Sequence, residues 1–181
     1  EVWWLYCTTA SNQIDRYVVF NYQENLWYTG TLVRSTWIDT GTYSLPYATK
    51  YDGSSSSTLY VHESGKDDDG STMTSYIESG DFDIGDGDDM MFIVRMIPDF
   101  KDQVGNVNIS LKSRYYPSDT QTTKGPFYYS TSTKRINPRS RGRQAAVRIE
   151  TNGYNAVTND ATGEDWRLGT IRFDVKSDGK R

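Results

Sequence analysis

The chain alternates short apolar, aromatic-rich runs with polar, glycine-punctuated breaks, and no stretch carries the i, i+3, i+4 repeat of an amphipathic helix. It opens directly in such a run, Val2-Trp3-Trp4-Leu5-Tyr6. Ile14-Asp15-Arg16-Tyr17-Val18-Val19-Phe20-Asn21-Tyr22 then leads into the polar Gln23-Glu24-Asn25, and Leu26-Trp27-Tyr28-Thr29-Gly30-Thr31-Leu32-Val33 follows at once. Apolar runs separated by a few turn residues predict a β-hairpin. Leu59-Tyr60-Val61-His62 reads as a further strand and Trp37-Ile38 as part of another. The Gly/Ser/Pro-rich stretch between them, ending in Ser54-Ser55-Ser56-Ser57, reads as loop. Short antiparallel strands ending in aromatics have the pattern of a β-propeller blade. The same pattern occurs in ordinary sandwiches. A lone blade buries its faces only against neighbours, so on the propeller reading residues 1–65 complete a propeller whose other blades precede them.

Gly65-Lys66-Asp67-Asp68-Asp69-Gly70 is acidic and Gly-bounded, and residues 66–70 are expected to link two domains. Beyond them Met90-Met91-Phe92-Ile93-Val94-Arg95-Met96-Ile97 is a continuous apolar run ended by Pro98, as in a strand covered on both faces. Clean alternation follows. Val107, Ile109 and Leu111 alternate with Asn108, Ser110 and Lys112. Ala145, Val147 and Ile149 alternate with Ala146, Arg148 and Glu150, and Ile171, Phe173 and Val175 with Arg172, Asp174 and Lys176. Period-two alternation puts one face against a core and one in water. The expected fold is all-β, with an antiparallel β-sandwich over residues 71–181 after the blade-like strands.

Composition supports this reading: 14 Tyr and 14% aromatic residues suit pleated surfaces. No run approaches the roughly 20 apolar residues of a membrane span, and there is no signal segment at the start. The beginning at Glu1, inside a strand-like run, suggests the C-terminal part of something longer. One Cys and one His cannot supply the about four ligands of a structural zinc site. Cys7, in an apolar run, reads as a small hydrophobe. The charge is uneven. Residues 1–100 carry 5 Lys/Arg and 16 Asp/Glu, a net −11, whereas residues 101–181 carry 15 and 8, a net +7. Such asymmetry suggests a charged partner or complementary packing between copies.

Candidate chemistry is sparse. Asp81-Phe82-Asp83-Ile84-Gly85-Asp86-Gly87-Asp88-Asp89 is rich in the carboxylates that calcium favours, but its glycines and acids miss the EF-hand spacing. It reads instead as a tight turn on Gly85 and Gly87, with Asp83, Asp86 and Asp88 solvated or at an interface; no metal or cofactor is expected. Lys134, Arg135, Arg139, Arg141, Arg143 and Arg148 form a basic cluster suited to charge-assisted bonds. Pairing with another subunit or domain is favoured for it over DNA contact. If a strand begins at Arg141, then Arg141 and Arg143 point the same way as Ala145. His62 lacks the local signature of a catalytic triad, and no pair of carboxylates is singled out for glycoside cleavage. The many aromatic rings permit a sugar-binding surface, although core filling is their default use.

Arg141-Gly142-Arg143-Gln144-Ala145-Ala146-Val147-Arg148-Ile149-Glu150, then Trp166-Arg167-Leu168-Gly169-Thr170-Ile171-Arg172-Phe173-Asp174-Val175 and a closing Asp178-Gly179-Lys180-Arg181, form an ordered set. Together with Ile14–Tyr22, Trp27-Tyr28-Thr29-Gly30-Thr31 and Tyr76-Ile77-Glu78-Ser79-Gly80-Asp81-Phe82-Asp83-Ile84-Gly85-Asp86-Gly87, this set resembles the C-terminal portion of nozzle, tail-tubular or hub proteins of short-tailed bacteriophages. The resemblance implies a non-enzymatic virion protein made in the host bacterial cytoplasm. It implies a homo-oligomeric ring, commonly a hexamer, beneath the portal and adaptor and in contact with other tail proteins. Genomic DNA would pass through the ring without sequence-specific binding. On this reading Arg135, Arg139, Arg141, Arg143, Asp83, Asp86 and Asp88 are candidate subunit contacts. The polar insert Asn152 to Asp165 departs from the family pattern. The alternative is a tail module that recognises glycan or receptor through exposed aromatics.

Overall fold

A computed structural model describes residues 1–51, 53, 56–151 and 164–180 of the chain. All the strand pairings among them are antiparallel, and the regular structure is β apart from one short turn of 3-10 helix. No helix among the described residues is long and apolar enough to cross a membrane. The chain divides into two compact units, Glu1–Ser64 and Gly65–Arg181.

In the first unit, β1 (Val2–Tyr6), β2 (Arg16–Asn21) and β3 (Leu26–Thr31) form a sheet in that order. The hairpin expected from the apolar runs is β2–β3, closed where Asn21 pairs Leu26. Its turn is held by Asn21 Oδ1, which accepts the backbone N–H groups of Gln23 (3.1 Å) and Glu24 (3.2 Å), while Asn25 takes a left-handed φ of 55°. A second sheet runs β4 (Thr36–Ile38), β5 (Tyr47–Tyr51), β6 (Ser57–Val61). Its middle strand lies in the stretch expected to be loop. Flanking Gly, Ser and Pro residues hide a five-residue run whose Ala48 is 1% exposed between Trp37 and Tyr60. The unit thus holds two three-stranded sheets, whereas a propeller blade is one sheet of about four strands.

The second unit begins with β7 (Asp67–Asp68) and β8 (Ser71–Thr72), a minimal ribbon turning through Asp69 (φ 51°) and Gly70 (φ 78°). The acidic segment expected as a linker is therefore a tight hairpin, because a pair of left-handed residues matches the strand twist. The remaining strands are β9 (Tyr76–Glu78), β10 (Asp89–Val104), β11 (Val107–Arg114), β12 (Thr122–Tyr129), β13 (Ser140–Gly142), β14 (Gln144–Thr151) and β15 (Asp165–Lys180). They form two sheets, ordered β13-β10-β15 and β12-β11-β14-β9.

Both sheets feed one core. Met91, Ile93 and Met96 come from β10, Val107, Ile109 and Leu111 from β11, and Ala145, Val147 and Ile149 from β14. Phe173 and Val175 of β15 pack against them, following the alternation seen in the sequence. The strand β10 does not end with its apolar run at Pro98 but continues to Val104. Met96 exchanges both backbone bonds with Ile136 (2.8 and 2.9 Å), so an N–H two residues on would face the same side, beyond β13, where no strand pairs. The missing donor costs no ladder bond there, and Tyr129 Oη donates to the Pro98 carbonyl at 3.2 Å. Between β13 and β14 the chain passes from one sheet to the other at Gly142-Arg143. A side chain at Gly142 would sit 3.0 Å from the Arg114 carbonyl oxygen and 3.1 Å from Ser113 Cβ, so the crossing relies on its absence.

Ile109→Ala should destabilise the second unit by about 2–5 kcal/mol, as cavity formation in a shared core does. Ile77→Ala, at a site 51% exposed on β9, should cost under about 1 kcal/mol. Hydrogen exchange of the β11 and β14 amides in urea measures both.

Candidate functional site

The acidic turn is built by backbone. Gly85–Gly87 forms a single 3-10 turn, with Asp88 N–H donating to Gly85 O at 3.0 Å. Gly85, Asp86 and Gly87 all have positive φ, of 60°, 53° and 77°. Asp83, Asp86 and Asp88 are exposed around it. Among the described residues no three His, Cys, Asp or Glu side chains come close enough together to hold a metal ion.

The arginines expected to act together are dispersed by the sheet crossing. Arg141 lies exposed on β13 and pairs with Asp178 of β15, reaching across β10. Arg143, at the crossing itself, directs Nε and Nη2 to the Gly87 carbonyl and sets its guanidinium 5.5 Å from the Tyr116 ring centroid. One arginine of the set therefore fastens the acidic turn within the same unit. The shared direction expected of Arg141 and Arg143 is lost because they sit on either side of a change of sheet. Arg135 and Arg139 are exposed, and neither forms an ion pair among the described residues.

Much of the charge imbalance along the sequence resolves inside the second unit. Glu78 receives Lys112 (2.5 Å) and Arg148 (3.0 Å), Asp81 pairs with Arg114, and Asp99 pairs with Arg172. Arg148 also bonds Glu150 at 2.8 Å. The hydrogen bond from Lys112, and then that from Arg148, holds the Glu78 carboxyl below its ordinary value of 4.5.

His62 is half-buried and structural. Its Nε2 accepts the Nε–H of Arg34 at 2.9 Å, and its ring lies 4.5 Å from that of Trp37. Arg34 is 8% exposed, donates to the Val33 carbonyl at 2.7 Å, and lies 4.0 Å from the centroid of Tyr60. Its cation is thus satisfied by neutral acceptors and a ring face. Cys7, expected as a small hydrophobe, lies exposed just after β1.

The least expected feature is how little the first unit buries. Val19 and Ala48 are its only buried hydrophobic residues among those described, against thirteen in the second unit. Trp3 is flanked by Tyr17 (5.0 Å) and Trp37 (5.8 Å), and with Trp37, Glu1, Asp39 and Glu63 it lines an open cleft of about 540 Å³. The opposite face of the β1-β2-β3 sheet is largely exposed. In register it displays Val2, Phe20 and Trp27 in one row, Trp4 and Val18 in the next, and Tyr6 beyond them. Trp4 stacks on Trp27 at 5.8 Å and Phe20 on Trp27 at 4.5 Å, yet Trp4 stays 46% and Trp27 62% exposed. Strand parity placed these rings on one face, but nothing in the sequence distinguished that face from a buried one. No family model matches the chain, and no match is found among curated proteins.

Arg34→Ala should loosen the first unit by about 2–3 kcal/mol, since it removes two partly buried hydrogen bonds and the ring contact. Faster hydrogen exchange across β4–β6, with the second unit unaffected, is the expected signature. For Glu78 the sign follows from its lowered pKa. Its stabilising contribution is complete above 4.5 and is lost as the pH falls through the lower folded value. Glu78→Gln should therefore cost stability at neutral pH and flatten the acid limb below 4.5, as read by unfolding at stepped pH.

Proposed function

We propose that this chain is a structural, non-catalytic component of a bacteriophage tail, of the nozzle or hub type, working as one subunit of a homo-oligomeric ring. The observation that carries the reading is the first unit. A 64-residue unit that buries two hydrophobic residues while displaying a stacked aromatic face gains too little from its own core to account for its order. Such a face is suited to being covered by protein, either by further sheets of the same polypeptide or by neighbouring subunits. That is the economy of propellers and rings, whose sheets bury their faces against the next repeat. The ordered resemblance to tail proteins supports the same reading from an independent direction.

Within this proposal the charged contacts are narrower than the sequence suggested. Arg143 is committed to the Gly87 carbonyl inside the unit, so reversing it would disturb the acidic turn before any interface, whereas Arg141 stays exposed in a surface pair with Asp178. Arg135 and Arg139 remain as candidates for meeting an acidic surface on a neighbour. Partly exposed attraction of that kind steers association and weakens with salt.

The test uses the full-length protein in particles. Mass spectrometry of purified virions should find it as a stoichiometric component, and Trp4→Glu with Trp27→Glu should prevent its incorporation while leaving β10–β15 exchange-protected. Arg135→Glu with Arg139→Glu should give a milder, salt-sensitive defect. Absence of the protein from particles, or normal incorporation of the tryptophan variant, would overturn the proposal.

A further inference from the structure

On the second unit, the four-stranded sheet turns one face to the core and the other outward. On the outward face one cross-strand row reads Tyr128, Asn108, Glu150, Tyr76, taken in order from β12, β11, β14 and β9. The row crosses all four strands of the sheet, a span of about 14 Å at the usual strand spacing. Its two ends are the most exposed rings of the unit, Tyr128 at 67% and Tyr76 at 65%. Its middle is polar and held in place. Arg148, one row along, bonds Glu150 through Nε (2.8 Å) and Glu78 through Nη1 (3.0 Å), and sets its guanidinium 4.0 Å from the Tyr76 centroid. Lys112 reaches Glu78 at 2.5 Å.

Two details point outward to a ligand. Asn108 Oδ1 is buried without a hydrogen-bond partner among the described residues, although native proteins leave few such acceptors unmet. An amide carries both a donor and an acceptor, so the group has what a hydroxyl lying on the row would pair with. Among the described residues Glu150 meets Arg148 through Oε2, which leaves its other oxygen available as an acceptor.

We infer that this row is a binding platform for a neutral oligosaccharide. Each end offers a ring face for an apolar sugar face, and the middle offers an amide and a carboxylate to hydroxyl groups. The charge pattern selects among ligands. Glu78 and Glu150 are balanced by Lys112 and Arg148, so the platform lacks the net positive charge that a nucleic acid or acidic polysaccharide requires. A protein interface would place its charge-depleted, apolar part at the centre, whereas here the polar groups are central and the rings peripheral. Because the ion pairs already fix the polar groups, little ordering is left for binding to do. The inference stands apart from the tail proposal and needs no particular assembly.

The experiment applies the intact protein to an array of neutral hexose and N-acetylhexosamine oligosaccharides, with uronic-acid oligosaccharides and single-stranded DNA alongside. Titration calorimetry on the best-retained neutral oligosaccharide follows. Tyr76→Ala and Tyr128→Ala should each weaken binding roughly tenfold, the loss of one ring contact, and Asn108→Ala should weaken it as well. Tyr22→Ala, at an exposed ring of the first unit, should leave it unchanged. Unwidened near-ultraviolet spectra and unfolding midpoints would confirm that the variants fold, and Tyr76→Phe, which keeps the ring, should retain most of the affinity if the platform is real. Retention of no neutral oligosaccharide would overturn the inference, as would preference for the anionic probes or equal affinity in the tyrosine variants. A change in self-association on removing Tyr76 or Tyr128, without glycan binding, would assign the row to a protein contact instead.

Discussion

A β-sheet has two faces, and an apolar face is stable only when something covers it. The two units of this chain meet that constraint differently. In the second, Met91, Ile93 and Met96 of one sheet close over Ile109, Leu111 and Val147 of the other, so each sheet is the other's cover and the outward faces are free to be polar. In the first, Trp3 and Trp37 meet between the two sheets, but the far side of the β1-β2-β3 sheet repeats the apolar character of the near side. The stacking of Trp4 and Phe20 on Trp27 withdraws some ring area from water and still leaves Trp27 62% exposed. The second unit thus covers its own apolar faces, whereas the first leaves one of its own largely exposed.

The same contrast governs charge. Read along the chain, the acidic first hundred residues and the basic remainder look like two surfaces made for each other on different molecules. The topology brings them together within one unit. β9 is laid beside β14 and next to β11, and this places Glu78 against Arg148 and Lys112. Asp99 on β10 meets Arg172 on its hairpin partner β15. These pairs are partly exposed and individually worth little. The larger effect of those around Glu78 is to balance charge on the outward face of the four-stranded sheet, which is ordered by internal bonds and bounded by tyrosines.

Legibility in the sequence followed the range of the interactions concerned. The β2–β3 hairpin and the alternation of β11, β14 and β15 were readable because period-two patterning and turn residues act over a few positions. β5 was not, because Ala48 owes its burial to Trp37 and Tyr60 on neighbouring strands rather than to its own surroundings. The Pro98 stop failed for a related reason. Proline ends a strand only where its N–H would have been used, and that depends on which neighbour runs past. The direction assigned to Arg141 and Arg143 assumed one continuous strand, and Gly142 breaks that assumption by carrying the chain into the other sheet.

The outward row of the second unit shows how far this limit extends. Tyr76, Asn108, Tyr128 and Glu150 belong to four strands, and only the β9–β14, β14–β11 and β11–β12 registers bring them into line. A slip of one residue in any of those pairings would send a member of the row to the core. What holds the registers is the core itself, since Ile109, Ile149 and Ile77 stand in the adjacent row and the first two are fully buried. Burial of those two isoleucines therefore fixes the relative positions of groups on the opposite face. The packing that makes the second unit stable is thus also what gives its exposed surface a defined chemical pattern.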